Sequence, residues 1–253
     1  ICGDTMRLLT LDIETSPIQA YVWSLFKVTI PIQSIVKPGE ILCFASKFVG
    51  EKKVYSRCKN DKDMLTFLHK QLSEADAVIS YNGAKFDIPW IQGQFLLAGF
   101  KPTAPFKQID LLRTIRSQFR FSSNKLDYVS QALGMSGKTK GMDFSIWKRC
   151  IEDNDPKAWA KMLKYNKQDV RLTEELYFKI LPWIKNHPNL SLFEKNDSGL
   201  HCPTCNSTNI IARGKYATNA GLFRRYSCKS CDKWFRSTTT IDVRNKEDKT
   251  ASI

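Results

Sequence analysis

Two cysteine pairs near the C-terminus, Cys202-Pro203-Thr204-Cys205 and Cys228-Lys229-Ser230-Cys231, constrain this chain more than any other feature. They stand 22 residues apart within a module of about 40 residues. So short a segment cannot bury enough apolar surface to fold alone. Four thiolates at this spacing fit a tetrahedral structural Zn²⁺, so metal binding is what should fold it. The other four cysteines, Cys2, Cys43, Cys58 and Cys150, are scattered, which argues against a disulfide framework. A redox role is the alternative for the pairs, but no thioredoxin-like pattern surrounds them. His201 adjoins the first pair and would be a ligand only if a cysteine were missing.

Ahead of this module, residues 185–199 have the Pro, Asn and Gly content of a linker. The expected organisation is a main domain over residues 1–185, a linker over 186–199, a zinc ribbon over 200–241 and a polar tail over 242–253. Met6, just before the first strand, is read as the natural start. The 253 residues, 42% hydrophobic and 25% charged, exclude disordered and collagen-like classes and suffice for one sizeable core. No apolar run approaches the roughly 18 residues of a membrane span, and no secretory leader opens the chain. The expectation is an intracellular, cytoplasmic protein with no membrane partner. The 39 Lys and Arg against 25 Asp and Glu leave a charge of +14, and residues 200–253 carry ten of the cations against four acids. A polyanionic partner follows.

The main domain opens with strand-like runs, 7–13 (RLLTLDI), 41–49 (ILCFASKFV) and 53–57 (KVYSR). From Asp61 the pattern alternates. A helix through Leu65, Leu68 and Leu72 leads to a strand at 77–80 (AVIS), then a helix from about Ile88 that stops at Gly99. A strand ending near Asp110 follows, then a helix after Asn124 that stops at Gly134, and a long helix capped by Asp155 and Pro156. Strands first and alternation afterwards predict an α/β fold, a mixed β-sheet flanked by helices. Residues 17–38 are too apolar for a loose loop and are expected to pack near the first strand, flanking a groove.

Three short elements carry chemistry. Asp12 and Glu14 in LDIET alternate along an extended chain and so share one side of a strand end. Two such carboxylates are either solvated or hold a hard divalent cation. Asp87, in YNGAKFDIP directly after the 77–80 strand, is either a helix cap or a group placed where the sheet opens. Tyr165 and Asp169, four apart in YNKQD, share a helix face that is either exposed or turned to a site.

In order and type, LDIET, YNGAKFDIP and YNKQD resemble the three exonuclease motifs of the DEDD superfamily in its tyrosine subgroup, the pattern of the proofreading domains of family B DNA polymerases. The resemblance spans about residues 7–181 and rests on the Asn-x3-Phe-Asp and Tyr-x3-Asp spacings. The histidine subgroup would place a His where Lys164 stands. The chain resembles a stand-alone relative of a sort often carried by bacteriophages, and residues 17–38 and the cysteine module depart from the polymerase domains.

The resemblance implies an RNase H-like fold and a metal-dependent 3′-to-5′ exonuclease that hydrolyses phosphodiester bonds, most readily of single-stranded DNA bearing a 3′ end, with two Mg²⁺ or Mn²⁺. It implies that Asp12 bridges both ions, that Glu14 and Asp169 serve the water-activating ion, and that Asp87 holds the second through water. Tyr165 would orient the nucleophile, since a phenol with a pKa near 10 is a poor base at neutral pH. Thr15 would contact the 3′ terminus and Asn82 the substrate strand, with Asp110 in support. In the ribbon, Arg213, Lys215, Arg224 and Arg225 are the expected nucleic-acid contacts, whereas Trp234 and Phe235 are expected in the ribbon's own core. The alternatives are an exoribonuclease, or a non-catalytic nucleic-acid-binding or polymerase-recruitment module on a nuclease scaffold; in a third reading the ribbon docks a protein partner such as a polymerase and nucleic-acid binding is left to the nuclease domain.

Overall fold

The computed structural model describes residues 5–135, 142–193 and 199–242. The start proposed at Met6 is preceded by residues 1–4, and the polar tail runs through 243–253; both stretches lie outside the described residues. The chain divides into two compact units, one over Arg7–Phe178 and one over Lys179–Ile253 with Ile1–Met6.

In the first unit, β1 (Leu8–Thr15) is followed by two short strands, β2 (Gln19–Ala20) and β3 (Ile35–Lys37), and then by β4 (Ile41–Phe48) and β5 (Tyr55–Cys58). After α1 (Met64–Ser73) come β6 (Ala77–Ser80), α2 (Asp87–Leu97) and β7 (Lys107–Asp110). The five long strands form one sheet in the order β5-β4-β1-β6-β7. β1 pairs antiparallel with β4 and β4 with β5, whereas β6 lies parallel to both β1 and β7. Parallel neighbours need a crossover, which α1 and α2 supply, and this is the mixed sheet that the alternation predicts. The chain continues through α3 (Leu111–Gln118), α4 (Leu126–Ala132), α5 (Phe144–Ile151) and α6 (Pro156–Ile180). Gly99 and Gly134 adopt left-handed φ values of 76° and 67° just past α2 and α4, as their reading as stops requires.

Alternation along β1 divides its side chains between two layers. Leu9, Leu11 and Ile13 join Phe44, Phe48, Leu68, Leu72, Val78, Ile91 and Phe95 in a core under α1 and α2. Each such fully buried side chain contributes about 1.5–3 kcal/mol. On the other side Leu42, Cys43 and Cys58 pack with Ile146, Cys150, Ala158, Trp159 and Met162 of α5 and α6. Asp155 caps α6 by accepting the Lys157 N–H at 2.8 Å. Lys47 of β4 forms an ion pair with the buried Glu174 of α6, which ties the helix to the sheet.

Residues 17–38 do not pack as their composition suggests. Between β2 and β3 the side chains of Tyr21, Trp23, Leu25, Phe26 and Ile32 are exposed. The excursion is fastened along its lower half, where Ser16 and Glu40 exchange hydrogen bonds of 2.8 and 2.9 Å, β2 pairs antiparallel with β3, and the Tyr21 N–H donates to Ser34 O at 2.9 Å. An apolar composition predicts burial only where another element covers it, and among the described residues of this unit none covers these side chains.

The second unit holds a three-stranded antiparallel sheet in the order β10-β9-β8, from β8 (Ile210–Thr218), β9 (Gly221–Cys228) and β10 (Trp234–Asp242). Ahead of the sheet, Lys233 Nζ donates to the carbonyls of Pro182 and Ile184 at 2.9 and 2.8 Å and Leu190 N–H donates to Pro203 O at 2.8 Å, while residues 194–198 of the expected linker lie outside the described residues.

Candidate active site

The face of β1 opposite Leu11 and Ile13 carries Asp12 and Glu14, and α6 crosses it with Tyr165, Asn166 and Asp169 on one side of the helix. Carboxylate oxygens of Asp12, Glu14 and Asp169 come within 4.8 Å of one another. Asn166, fully buried, sets the register of helix on strand. Its Nδ2 donates to the Asp12 carboxylate at 2.7 Å and to the Asp12 carbonyl at 3.2 Å. Cys43 Sγ approaches the Asn166 Oδ1 at 3.9 Å from β4.

Asp87 arrives from the other side of β1. Pairing of β1 with β6 ends at Thr10, and further along the strand the Ile13 N–H donates to Asp87 Oδ1 at 3.1 Å. Asp87 is thus not the helix cap: Phe86 holds the cap position with no side-chain hydrogen bond, and Asp87 reaches across to the strand that carries the other acids. The loop before it is built for this approach. Asn82 takes a left-handed φ of 70°, and its N–H donates to Asp110 Oδ1 at 3.0 Å. A Cβ on Gly83 would collide with the side chain of Ser80 and come within 3.3 Å of Asp87 Oδ2. Asp110 also accepts the Leu112 N–H at 3.0 Å, capping α3, which gives it the supporting role expected of it.

The electrostatics follow from crowding. Burial raises the Asp12 carboxyl well above the usual carboxylate range, and Asp87, Glu14 and Asp169 raise it further against the opposing Asn166 hydrogen bond. Burial likewise pushes Asp87 up to about 7, although the N–H groups of Ile13 and of Asp87 itself hold it down. Ionised together, these acids repel one another unless a cation neutralises them. An all-oxygen, all-carboxylate donor set suits a hard divalent ion, so Asp12, Glu14 and Asp169 could hold one.

Beside the acids lies a cleft of about 400 Å³ lined by Thr15, Ser16, Pro17, Met142, Asp143, Phe144 and Trp147. Thr15 sits where the β1–β4 register shifts, which turns the end of the strand into the cleft. Trp147 meets the Tyr165 ring edge-on, centroids 6.5 Å apart. Of the residues singled out in the sequence, Asp12, Glu14 and Asp169 meet, Asp87 bonds to the same strand, Tyr165 lies one turn before Asp169 on α6, Thr15 is on the cleft wall and Asn82 is in the loop before Asp87. Asn166 and Trp147 escaped sequence reasoning. Asn166 could have been found from its i, i+3 spacing to Asp169. The helix bearing Trp147 is signalled by Asp143, which caps α5 by accepting the Ser145 N–H at 2.8 Å.

The family model of the RNase H superfamily matches residues 39–181. The chain belongs to the RNase H superfamily. The RNase H match runs from β4 to the end of α6 and so contains Asp87, Tyr165 and Asp169, while Asp12 and Glu14 enter from β1. Among solved structures, the chain is similar to the family B DNA polymerase from the hyperthermophilic archaeon Pyrobaculum calidifontis, with 19% identity and a TM-score of 0.52 over 70% of this chain and 25% of that one. The likeness is one of fold and takes in a quarter of the polymerase. No curated protein matches. An RNase H-like fold and an acidic cluster of this kind mark a nuclease-type protein that binds nucleic acid. No helix among the described residues is long and apolar enough to cross a membrane.

Outside the RNase H-like domain, Cys202, Cys205, Cys228 and Cys231 form a second cluster, their sulfurs within 4.8 Å of one another. Each pair is followed by a left-handed residue, Asn206 at φ 58° and Asp232 at φ 57°, residue types that tolerate that conformation. The turn folds the chain back, so that Asn206 N–H donates to Cys202 O and Cys228 N–H to Lys233 O, each at 2.9 Å. Burial pushes Cys205 up to about 11 and raises Cys231 as well. Burial acts in the same sense on Cys228, but the N–H groups of Cys231 and Ser230 outweigh it and hold that thiol below its usual value. Four soft sulfur donors on two such turns could hold one tetrahedral metal ion.

Proposed function

We propose that the protein is a metal-dependent exonuclease of the tyrosine subgroup of the DEDD superfamily, removing nucleotides from the 3′ end of single-stranded DNA. The proposal takes residues 1–185 as the nuclease domain and 200–241 as a zinc ribbon that helps to hold the substrate. The observation that carries it is the meeting of Asp12, Glu14 and Asp169, with Asp87 hydrogen-bonded to the same strand, beside a cleft walled by Thr15 and Trp147.

Asp12, Glu14, Asp87 and Asp169 would hold two Mg²⁺ or Mn²⁺, which when bound supply an activated water and stabilise the charge of an in-line displacement. The chain's own residues do the rest. Asn166 fixes the Asp12 carboxylate, so that the donors are set before substrate arrives. The Tyr165 hydroxyl orients the attacking water, its ring held by Trp147 at the cleft. Thr15 receives the terminal nucleotide, and Asn82, in its strained loop, lies along the strand behind it. Cys202, Cys205, Cys228 and Cys231 would hold one structural Zn²⁺, with Arg213, Lys215, Arg224 and Arg225 contacting phosphates. A non-catalytic scaffold would tolerate the loss of a carboxylate, and all four are present.

The test uses 5′-labelled single-stranded DNA and RNA with Mg²⁺ or Mn²⁺, comparing the intact protein with Asp12→Ala. A product ladder shortening from the 3′ end of the DNA, absent with the variant, is the expected result. Faster shortening of the RNA would make the protein an exoribonuclease. Binding of both substrates without cleavage would remove the enzymatic reading.

A further inference from the structure

The rings expected to form the core of the cysteine module are not all in it. Phe223 is buried and Tyr226 stacks on Phe235 at 5.5 Å, but Trp234 is 53% exposed and Tyr216 47%. In a module too small to leave apolar surface idle, two half-open rings need another explanation.

Tyr216 and Trp234 line one concavity of about 460 Å³ with Arg225, Phe235 and Arg236. Its walls come from all three strands: Tyr216 from β8, Arg225 from β9, and Trp234, Phe235 and Arg236 from β10. The cations are fixed, not trailing. The strand register slips between Ala212 and Lys215, where Gly214 takes a φ of 80°, and the Arg213 carbonyl there accepts the Arg225 Nε at 3.0 Å. That bond holds the Arg225 guanidinium 5.2 Å from the Trp234 ring centroid, and Arg236 lies 3.9 Å over the Phe223 ring. Residues 200–241 carry seven Lys and Arg against the lone acid Asp232. The volume suits a small ligand or a single nucleotide.

We infer that this concavity is a base-stacking subsite for an unpaired nucleotide of a single-stranded nucleic acid, with Tyr216 and Trp234 taking the base and Arg225 and Arg236 the flanking phosphates. The inference rests on the nucleic-acid reading above and deepens it, since it assigns the single-strand preference to the ribbon. Charge alone would serve duplex and single strand equally. Rings on a sheet surface can stack only on bases that are not already stacked and paired, and every base has a face to offer, so the subsite is indifferent to sequence. An acidic protein segment would account for the arginines but leave the open rings without a role.

The experiment uses the full Asp12→Ala chain with its zinc retained, so that binding is read apart from cleavage. Fluorescence anisotropy compares a 5′-labelled oligothymidylate, an abasic oligonucleotide with the same number of phosphates, and a blunt duplex. The oligothymidylate should bind about tenfold more tightly than the abasic strand. Trp234→Ala and, separately, Tyr216→Ala should collapse that ratio while leaving abasic binding unchanged. Trp234→Phe, which keeps a ring, should retain most of the ratio, and zinc content reports whether each variant is folded. Equal binding of abasic and base-bearing strands by the parent chain, or a ratio unmoved in both alanine variants, overturns the inference. Displacement of the oligothymidylate by polyglutamate as readily as by unlabelled strand overturns it in favour of an acidic protein partner. If the intact chain cleaves nothing, the enzymatic proposal fails while this ratio still decides the subsite.

Discussion

The protein holds two clusters of metal-competent side chains, and they differ in what holds them together. The carboxylates of Asp12, Glu14, Asp87 and Asp169 are positioned by a five-stranded sheet with a core on both faces, so their geometry exists because the domain folds. The four cysteines belong to a three-stranded sheet with a single buried aromatic ring among its described residues, Phe223, so there the ion would be the core. The lesson is one of direction: in the first region the fold imposes electrostatic strain on the site, and in the second a bound ion would make the fold.

The sharpest break of this contrast is Cys228→Ser. With about 10–16 kcal/mol of binding free energy attached to a structural zinc, loss of one thiolate should unfold residues 200–241. Limited proteolysis should then remove the module and leave an intact Arg7–Phe178 core, and a ribbon that survives would erase the distinction. The converse variant, Asp169→Ala, should abolish cleavage with no loss of circular-dichroism signal. It removes charge repulsion and leaves the core intact, so a collapse of the fold would show that the carboxylates are structural.

A smaller effect tests the strain directly. Asp87 titrates near 7 in the native protein against about 3.9 when unfolded. The folded state therefore binds more protons between those values, and without a divalent ion this group's contribution falls as pH rises across that window, by at most about 1.4 kcal/mol per pH unit. The melting temperature of Asp87→Asn minus that of the parent, measured without added Mg²⁺ or Mn²⁺, should grow from pH 4 to pH 7. Adding Mg²⁺ at pH 7 should raise the parent's melting temperature more than the variant's.

Asn166→Ala should slow cleavage about 10–100-fold, with much of the loss recovered at higher Mg²⁺, as expected of a residue that orients a ligand. A loss that no concentration of Mg²⁺ restores would move Asn166 from positioning to folding. An effect of similar size is expected from Gly83→Ala, which should destabilise the domain by about 1–3 kcal/mol through the collision with Ser80, detectable as a lowered denaturation midpoint.

Much of this was legible in the sequence, because periodicity and spacing are local. The 7–13 strand, the helix stops at Gly99 and Gly134, the Asp155 cap and the two cysteine turns all follow from residues within a few positions of one another. So does the sharing of a strand face by Asp12 and Glu14, and of a helix face by Tyr165 and Asp169. What remained hidden depends on neighbours distant in the chain. For Asp87 the residues alone leave helix cap and site group open, and the choice is made only where β1 lies beside it and offers the Ile13 N–H. Asn166 reads as filler until α6 crosses the strand end. Trp234 reads as core and residues 17–38 as packed near the first strand because composition registers how apolar a segment is and not whether anything covers it. The sequence by itself determined the elements and the chemistry they carry. Only the tertiary structure decided which groups meet and which rings stay open to solvent, because burial and the partner of every hydrogen bond across the sheet are set by the packing of segments far apart in the chain.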